Sequence, residues 1–128
     1  MMSAPTGLQF EYVSGCLIAR ATGSAQFEQR LVFAQAIADA LSRQPVAALL
    51  LNLRDALGPT NFMERYQLGE LAALYLPKIP IAVLMREDQT DKELIGRQVA
   101  RNRGADLEVF LDPAAAEAWL KKYAPPAA

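Results

Sequence analysis

The sequence predicts an α/β fold in which four helices pack on a single mixed, mostly parallel sheet, in the order β-β-α-β-α-β-α-β-α. Two observations predict it. Short runs that are β-prone or wholly apolar alternate with longer segments whose apolar residues recur three and four positions apart. Prolines and helix-capping residues separate the two kinds of segment. Strands that alternate with helices are typical of a largely parallel sheet covered by helices.

The strands are of two kinds. Leu8 to Val13 and Cys16 to Ala21 are short β-prone runs, and Ser14 with Gly15 between them indicates the turn of a hairpin. The later runs are apolar almost throughout, which is typical of parallel strands covered on both faces. These later runs are Val46 to Leu53, Ile81 to Met85 and Leu107 to Leu111.

The first helix is predicted from about Ala25 to Ser42, with Ser24 as its N-cap. Its apolar residues recur at spacings of four and three, so they form one stripe that faces the core. The members of this stripe are Phe27, Leu31, Ala34, Ala38 and Leu41. Val32 and Phe33 lie off the stripe and extend the apolar surface of the helix.

Capping residues also mark the start of the third and fourth helices. Thr90 and Glu93 have the spacing of a capping box, and the helix that they open ends before Gly104, a natural C′ residue. Asp112 is the predicted cap of the last helix, with Pro113 at its first position. The predicted buried face of that helix consists of Ala115, Ala116, Trp119, Leu120 and Tyr123.

Composition excludes several classes of function. The 128 residues predict one domain at residues 8–123, with flexible tails at 1–7 and 124–128. A net charge of −1 gives no general attraction to nucleic acid. The chain has no histidine and hence no Ser-His-Asp or Cys-His catalytic unit, and no metal or cofactor is expected. The single cysteine, Cys16, and the lack of a signal-peptide pattern or an apolar run of membrane-spanning length predict a cytoplasmic protein.

Several segments resemble the STAS fold of anti-sigma-factor antagonists, and within it the SpoIIAA-like branch. The first of them are Gly15 between the first two strands, Phe27-Glu28-Gln29 at a helix start, and Leu50-Leu51-Asn52-Leu53 before the central loop. The last are Glu108 to Asp112 and Ala116 to Leu120. The resemblance implies a non-enzymatic regulatory domain that binds other proteins.

The resemblance also implies a position for a phosphoacceptor. Members of the family carry an Asp-Ser dipeptide at the start of the second helix, and the serine is phosphorylated. The matching positions here are Thr60 and Asn61, neither of which is serine. Asp55, at the end of a central strand, completes the candidate loop. The alternative interpretation is that Thr60 is a loop residue beside a helix cap.

The second helix, Phe62 to Leu76, is apolar on all sides, and Asn61 with Glu64 forms a capping-box-like pair at its start. One face consists of Phe62, Tyr66, Ala73 and Leu76, an opposite one of Leu68, Leu71 and Tyr75, and Met63 with Leu74 fills a third direction. A peripheral helix buries only one side on its own sheet. The stripe of Leu68, Leu71 and Tyr75 is therefore predicted to meet a second copy in a homodimer, another protein or an apolar ligand. Coverage by neighbouring helices is the alternative.

Arg97 and Arg101 lie one turn apart on the third helix and form a candidate anion site. The alternative is a solvated basic face in which Glu93 pairs with Arg97. The two arginines also belong to a second functional hypothesis, a lipid-binding or small apolar ligand-binding domain of the CRAL-TRIO type, which the resemblance permits. Its cleft would be lined by Phe62, Met63, Tyr66, Leu74 and Tyr75.

Overall fold

The computed structural model describes residues 4–23 and 26–123. Its five-stranded sheet has its strands in sequence order. The strands are β1 (Leu8–Val13), β2 (Cys16–Gly23), β3 (Ala48–Ala56), β4 (Ile81–Leu84) and β5 (Leu107–Phe110). The helices are α1 (Phe27–Arg43), α2 (Phe62–Tyr75), α3 (Ile95–Asn102) and α4 (Pro113–Leu120), with a short 3₁₀ helix at Glu87–Gln89. The predicted fold class and element order are therefore confirmed.

The pairing of the strands explains the arrangement of the helices. β1 and β2 form the predicted antiparallel hairpin, whereas each later strand runs parallel to the one before it. Right-handed crossovers that always step in the same direction place their helices on one face of the sheet. The larger core therefore lies beneath α1, α2 and α3, around Leu17, Leu49 and Ile81, and it includes Ala100 of α3. The opposite face is covered by α4, whose Ala116 and Leu120 pack on β3 and β4.

β3 continues past its predicted end at Leu53. After an irregularity in β2, Thr22 pairs with Asp55 and Gly23 with Ala56, so the strand extends to Ala56. Residues 4–7, assigned to the N-terminal tail from the sequence, contact the domain, because the Gly7 carbonyl accepts a hydrogen bond from the Thr22 amide at 2.8 Å. No helix in the described ranges is long and apolar enough to cross a membrane.

The core-facing side of α1 differs from the predicted stripe. Phe33 is buried together with Ala34, Ile37 and Leu41, whereas Phe27 is 43% exposed. The placement of Phe33 off the core was therefore wrong: side chains at positions 33, 37 and 41 are successive i, i+4 neighbours and form the inner row. Within the described residues the N-cap position of this helix is Gln26. The predicted cap, Ser24, lies outside them, as do Ala25 and the tail at 124–128.

The predicted capping box at Thr90 and Glu93 was wrong. The Thr90 hydroxyl donates to the Glu87 carbonyl at 2.8 Å and closes the 3₁₀ turn. α3 begins only at Ile95, whose amide donates to the Asp91 carboxylate at 3.1 Å. A threonine with an acidic residue three positions later is compatible with the start of an α-helix and with the end of a 3₁₀ turn, so this spacing did not identify the start of α3.

The caps at the start of α2 and α4 are confirmed. Asn61 accepts the Glu64 amide at 2.9 Å, and Asp112 accepts the Ala115 amide at 3.3 Å. The predicted buried face of α4 is too wide, because Ala115 and Tyr123 are exposed. An eight-residue helix that packs through Ala116 and Leu120 covers only a narrow strip of sheet.

Candidate functional site

The segment that enters α2, residues 57–61, lies at the carboxyl end of β3 and is here called the entry loop. Its Thr60 is exposed, and both the amide and the hydroxyl of Thr60 donate to one oxygen of Glu64, at 2.7 and 2.8 Å. Acceptance of the Thr60 amide is the chief reason that the pKa of Glu64 lies below its usual value. The charges of Arg30 and Arg65 lower the pKa of Glu64 further. Thr60 and Asn61, which are neighbours in the sequence, thus both form hydrogen bonds with Glu64 at the start of α2.

Asp55 does not join that pair. It lies within β3, where its carboxylate is bound by Arg20 of β2, with Nε at 2.8 Å from Oδ2. Both side chains are about half exposed. The interaction ties the carboxyl ends of two neighbouring strands, which is a structural role for the residue that the sequence placed in the candidate loop.

Gln89 fixes the entry loop, although no pattern in the sequence singles it out. Its side chain is 1% exposed, and its amide nitrogen donates to the carbonyls of Leu53 at 2.7 Å and Gly58 at 2.9 Å. Its amide oxygen accepts the backbone N–H of Arg86 at 2.7 Å. A buried amide with three well-placed partners holds one conformation. In the sequence, however, Gln89 is an ordinary loop glutamine.

Arginine side chains complete this attachment. The Arg86 guanidinium donates to the carbonyls of Arg54 and Ala56, the latter at 3.1 Å, and its Nε pairs with Asp88 at 2.9 Å. Nε of Arg65, on α2, donates to the Gln89 carbonyl at 3.0 Å. The entry loop and the start of α2 are therefore held to the segment that follows β4.

The outer face of α2 consists of Phe62, Met63, Tyr66 and Leu74. Phe62 is 58% exposed, Met63 57% and Leu74 75%. The rings of Phe62 and Tyr66 stack with centroids 6.2 Å apart, and the guanidinium of Arg103 lies over the Tyr66 ring. These residues share one side of the helix, and their apolar atoms face outward from the domain.

The predicted outer stripe of α2 was assigned to the wrong side. Leu71 is only 7% exposed, Leu68 packs against the larger core, and Tyr75 is half-buried. Gly69 lies on the side of this helix that contacts α3, where it meets Gly96. A Cβ atom on Gly69 would lie 2.3 Å from the Gly96 carbonyl oxygen, so the two backbones touch.

Arg97 and Arg101 both bind Glu108 of β5. Arg97 donates to the two carboxylate oxygens at 2.9 and 2.7 Å, and Arg101 reaches one of them at 3.3 Å. The hydrogen bonds from Arg97 hold the pKa of Glu108 below its usual value. The predicted pairing of Arg97 with Glu93 was therefore wrong. The guanidinium donors of Arg97, which were expected to bind an external anion, bind the carboxylate of Glu108 instead.

The described residues offer little for covalent or metal chemistry. Cys16 is buried, and burial raises the pKa of its thiol, which disfavours the reactive thiolate. Within residues 4–23 and 26–123, no group of three or more histidine, cysteine or acidic side chains is placed to hold a metal ion.

Comparison with known proteins gives a structural match. No family model matches the sequence, and no curated protein matches it. Among solved structures, the chain is similar to an anti-sigma factor antagonist from Mycobacterium paratuberculosis, with a TM-score of 0.66 and 14% sequence identity. The similarity covers 94% of this chain and 99% of the other. The chain therefore has the fold of an anti-sigma factor antagonist, as its resemblance to the STAS fold predicted.

Proposed function

We propose that the chain is a regulatory domain that binds another protein, without catalysis, through the entry loop and the outer face of α2. The single observation that carries the proposal is the exposure of Phe62, Met63 and Leu74 on one helix face. Exposed apolar groups grouped in this way mark interaction sites. The match to an anti-sigma factor antagonist, a protein named for its action on another protein, supports the same class of function.

The chemistry of this surface suits protein docking. Tyr66 and Arg103 are the residue types that contribute most energy at the centre of protein interfaces. Leu57, in the entry loop, is 68% exposed and adds a further apolar side chain near the start of the helix. Because Gln89 already fixes the entry loop, little conformational entropy is lost when a partner binds.

Phosphorylation of Thr60 stays a prediction that belongs to this surface. The Thr60 hydroxyl now donates to Glu64 at 2.8 Å. A phosphate there would bring about two negative charges beside that carboxylate. We expect the repulsion to open the start of α2 and to weaken docking.

The sequence led to two other hypotheses, a homodimer and a ligand-binding domain. A homodimer remains a proposal. Its predicted contact, the stripe of Leu68, Leu71 and Tyr75, is mostly turned towards the domain, so we place the twofold contact on the outer face instead. The apolar cleft expected for a ligand-binding domain is not formed by the predicted residues, because Phe62, Met63 and Leu74 point outward. A cytoplasmic location and one domain over residues 8–123 also remain proposals.

Site-specific photocrosslinking in the native cell tests the docking surface. A photoreactive phenylalanine analogue at Met63 is compared with the same analogue at Leu111, which is 51% exposed and precedes α4. We expect a discrete crosslinked protein from position 63 and none from position 111. A crosslink to a second copy identifies the homodimer, whereas one to a different protein identifies the regulatory partner. Equal crosslinking from both positions, or none from position 63, contradicts the proposal.

A further inference from the structure

An apolar cavity lies between α1, α2 and the sheet. It is lined by Phe33 and Ile37 of α1, Leu51 and Leu53 of β3, and Leu68 and Ala72 of α2, among others. The polar side chains in its lining are Thr22 and Arg30. The cavity is partly open to solvent and has room for several water molecules, which apolar walls hold poorly.

The inner face of α2 also borders a second apolar space. A second cavity, on the α3 side of the helix, shares Leu51, Leu53, Leu68 and Ala72 with the first. These four side chains come from the inner face of α2 and from the strand beneath it. The four shared side chains lie between the two cavities and belong to, or pack against, the larger core, so each cavity has an apolar wall beneath α2.

Arg30 lines the first cavity, and two of its hydrogen-bond donors have no acceptor among the described residues. Its side chain is 10% exposed, and its Nη2 donates to Gln67 at 2.9 Å. Its Nε and Nη1 are buried and find no hydrogen-bond acceptor within residues 4–23 and 26–123. Glu64 lies 3.7 Å from Nη1, too far for a hydrogen bond. Buried donors are usually hydrogen-bonded, so these two donors are available to an acceptor that enters the cavity.

The local charge favours an anion as that acceptor. Arg30 and Arg65 both act on the Glu64 carboxylate, which directs its other oxygen to Thr60. Two cations, Arg30 and Arg65, therefore act on the single Glu64 carboxylate. Burial also lowers the pKa of Arg30, since the charged guanidinium has lost its water. A bound carboxylate would restore favourable charge pairing and supply the hydrogen bond.

We propose that this cavity binds a single-chain aliphatic carboxylate. The alkyl chain lies in the apolar space beneath α2, and the carboxylate supplies the acceptor that the Arg30 guanidinium lacks. The site is distinct from the outer face of α2, which lies on the opposite side of the helix. Its ligand specificity follows from two features, an arginine that selects an anion and an apolar cavity that selects an alkyl chain.

Calorimetric titration of the purified protein tests the proposal. The probes are hexanoate, octanoate and decanoate, with acetate and decyltrimethylammonium as controls, all below micelle-forming concentrations. We expect affinity to rise about fourfold per methylene, because each buried methylene contributes about 0.8 kcal/mol. We expect acetate and the cation to bind at least tenfold more weakly than decanoate. Absence of decanoate binding, or equal binding of the cation, overturns the proposal.

Two substitutions test separately how the protein binds the carboxylate and the alkyl chain of the ligand, and each has a control or a replacement variant. Arg30→Met keeps an unbranched side chain and removes the charge, so decanoate affinity should fall at least tenfold. Arg43→Met, at the exposed end of the same helix, is the matched control and should leave affinity unchanged. Ala72→Leu should fill the space beneath α2 and abolish binding. If that variant does not fold, Ala34→Leu takes its place, since Ala34 lines the first cavity. Unchanged binding by the folded Arg30→Met protein contradicts the assignment.

Discussion

Gln89 shows how one side chain fixes a functional surface. Its amide joins the end of β3, the entry loop and the segment after β4 through the carbonyls of Leu53 and Gly58 and the amide of Arg86. All of these partners are backbone groups, so no residue type in the sequence identifies them. For this reason sequence patterns identified Asn61 as a helix cap but gave no role to Gln89.

Replacement of Gln89 by leucine should destabilise the protein by about 2–3 kcal/mol. Leucine retains the volume but leaves buried backbone groups without hydrogen-bond partners, at about 1–3 kcal/mol for such a loss. Urea denaturation measures the change. The control is Gln35→Leu on the exposed side of α1, for which we expect a change within about 0.5 kcal/mol. Equal stability of the two variants would show that the hydrogen bonds of Gln89 contribute nothing.

At the scale of elements, the strands and the hairpin could be predicted because their apolar runs are short and sharply bounded. The rotation of α2 could not, because a helix with apolar residues on every side has no preferred inner face by periodicity alone. What decides it is the contact with α3, in which Gly69 and Gly96 let two backbones touch. The predictions for Phe33 and for the start of α3 were wrong for the same reason, because sequence patterns do not show which distant residues a segment contacts.

The crossing of α2 and α3 predicts a cost for a single methyl group. A Cβ atom at position 96 would lie 2.8 Å from the Arg65 carbonyl oxygen, which belongs to rigid helical backbone. We expect Gly96→Ala to destabilise the protein by about 1–3 kcal/mol through overpacking, although alanine favours the helix by about 1 kcal/mol.

Thermal and urea unfolding measure this effect against Asn102→Ala, an exposed position at the end of α3. That control gains helix propensity without a clash and should be neutral or slightly stabilising. A stabilised Gly96→Ala protein would mean that the helices separate at no cost, and that Gly69 and Gly96 do not set the orientation of α2.

At the scale of the whole molecule, the sequence predicted the STAS fold, and the structural match confirms it. The strand order then accounts for an unequal covering of the two sheet faces, with α1, α2 and α3 over the larger core and α4 alone over the smaller one. The position of the docking surface does not follow from the order of elements. It depends on which side of α2 is turned outward, and so on contacts between residues far apart in the chain.

The acid stability of the molecule should depend on Glu108, which ties α3 to β5. Hydrogen bonds from Arg97 hold the pKa of Glu108 below its usual value. A carboxyl group with a lowered folded-state pKa stabilises the protein above its unfolded-state pKa of about 4.3. That contribution is lost as the pH falls through the folded-state value. The Glu108→Gln protein should therefore be less stable than the native protein at pH 7, by about 1–2 kcal/mol for a partly buried charged pair.

This difference should shrink as the pH falls below the unfolded-state value of about 4.3 and through the lower folded-state pKa, because the native carboxyl then becomes protonated. Urea denaturation at half-unit steps from pH 3 to pH 7 measures it. Glu117→Gln, at an exposed position of α4, changes the net charge equally and serves as the control. A difference between native and Glu108→Gln proteins that stays constant across this range would show that the ion pair with Arg97 does not stabilise the fold. If the control reproduces the pH dependence, the effect belongs to net charge and not to this contact.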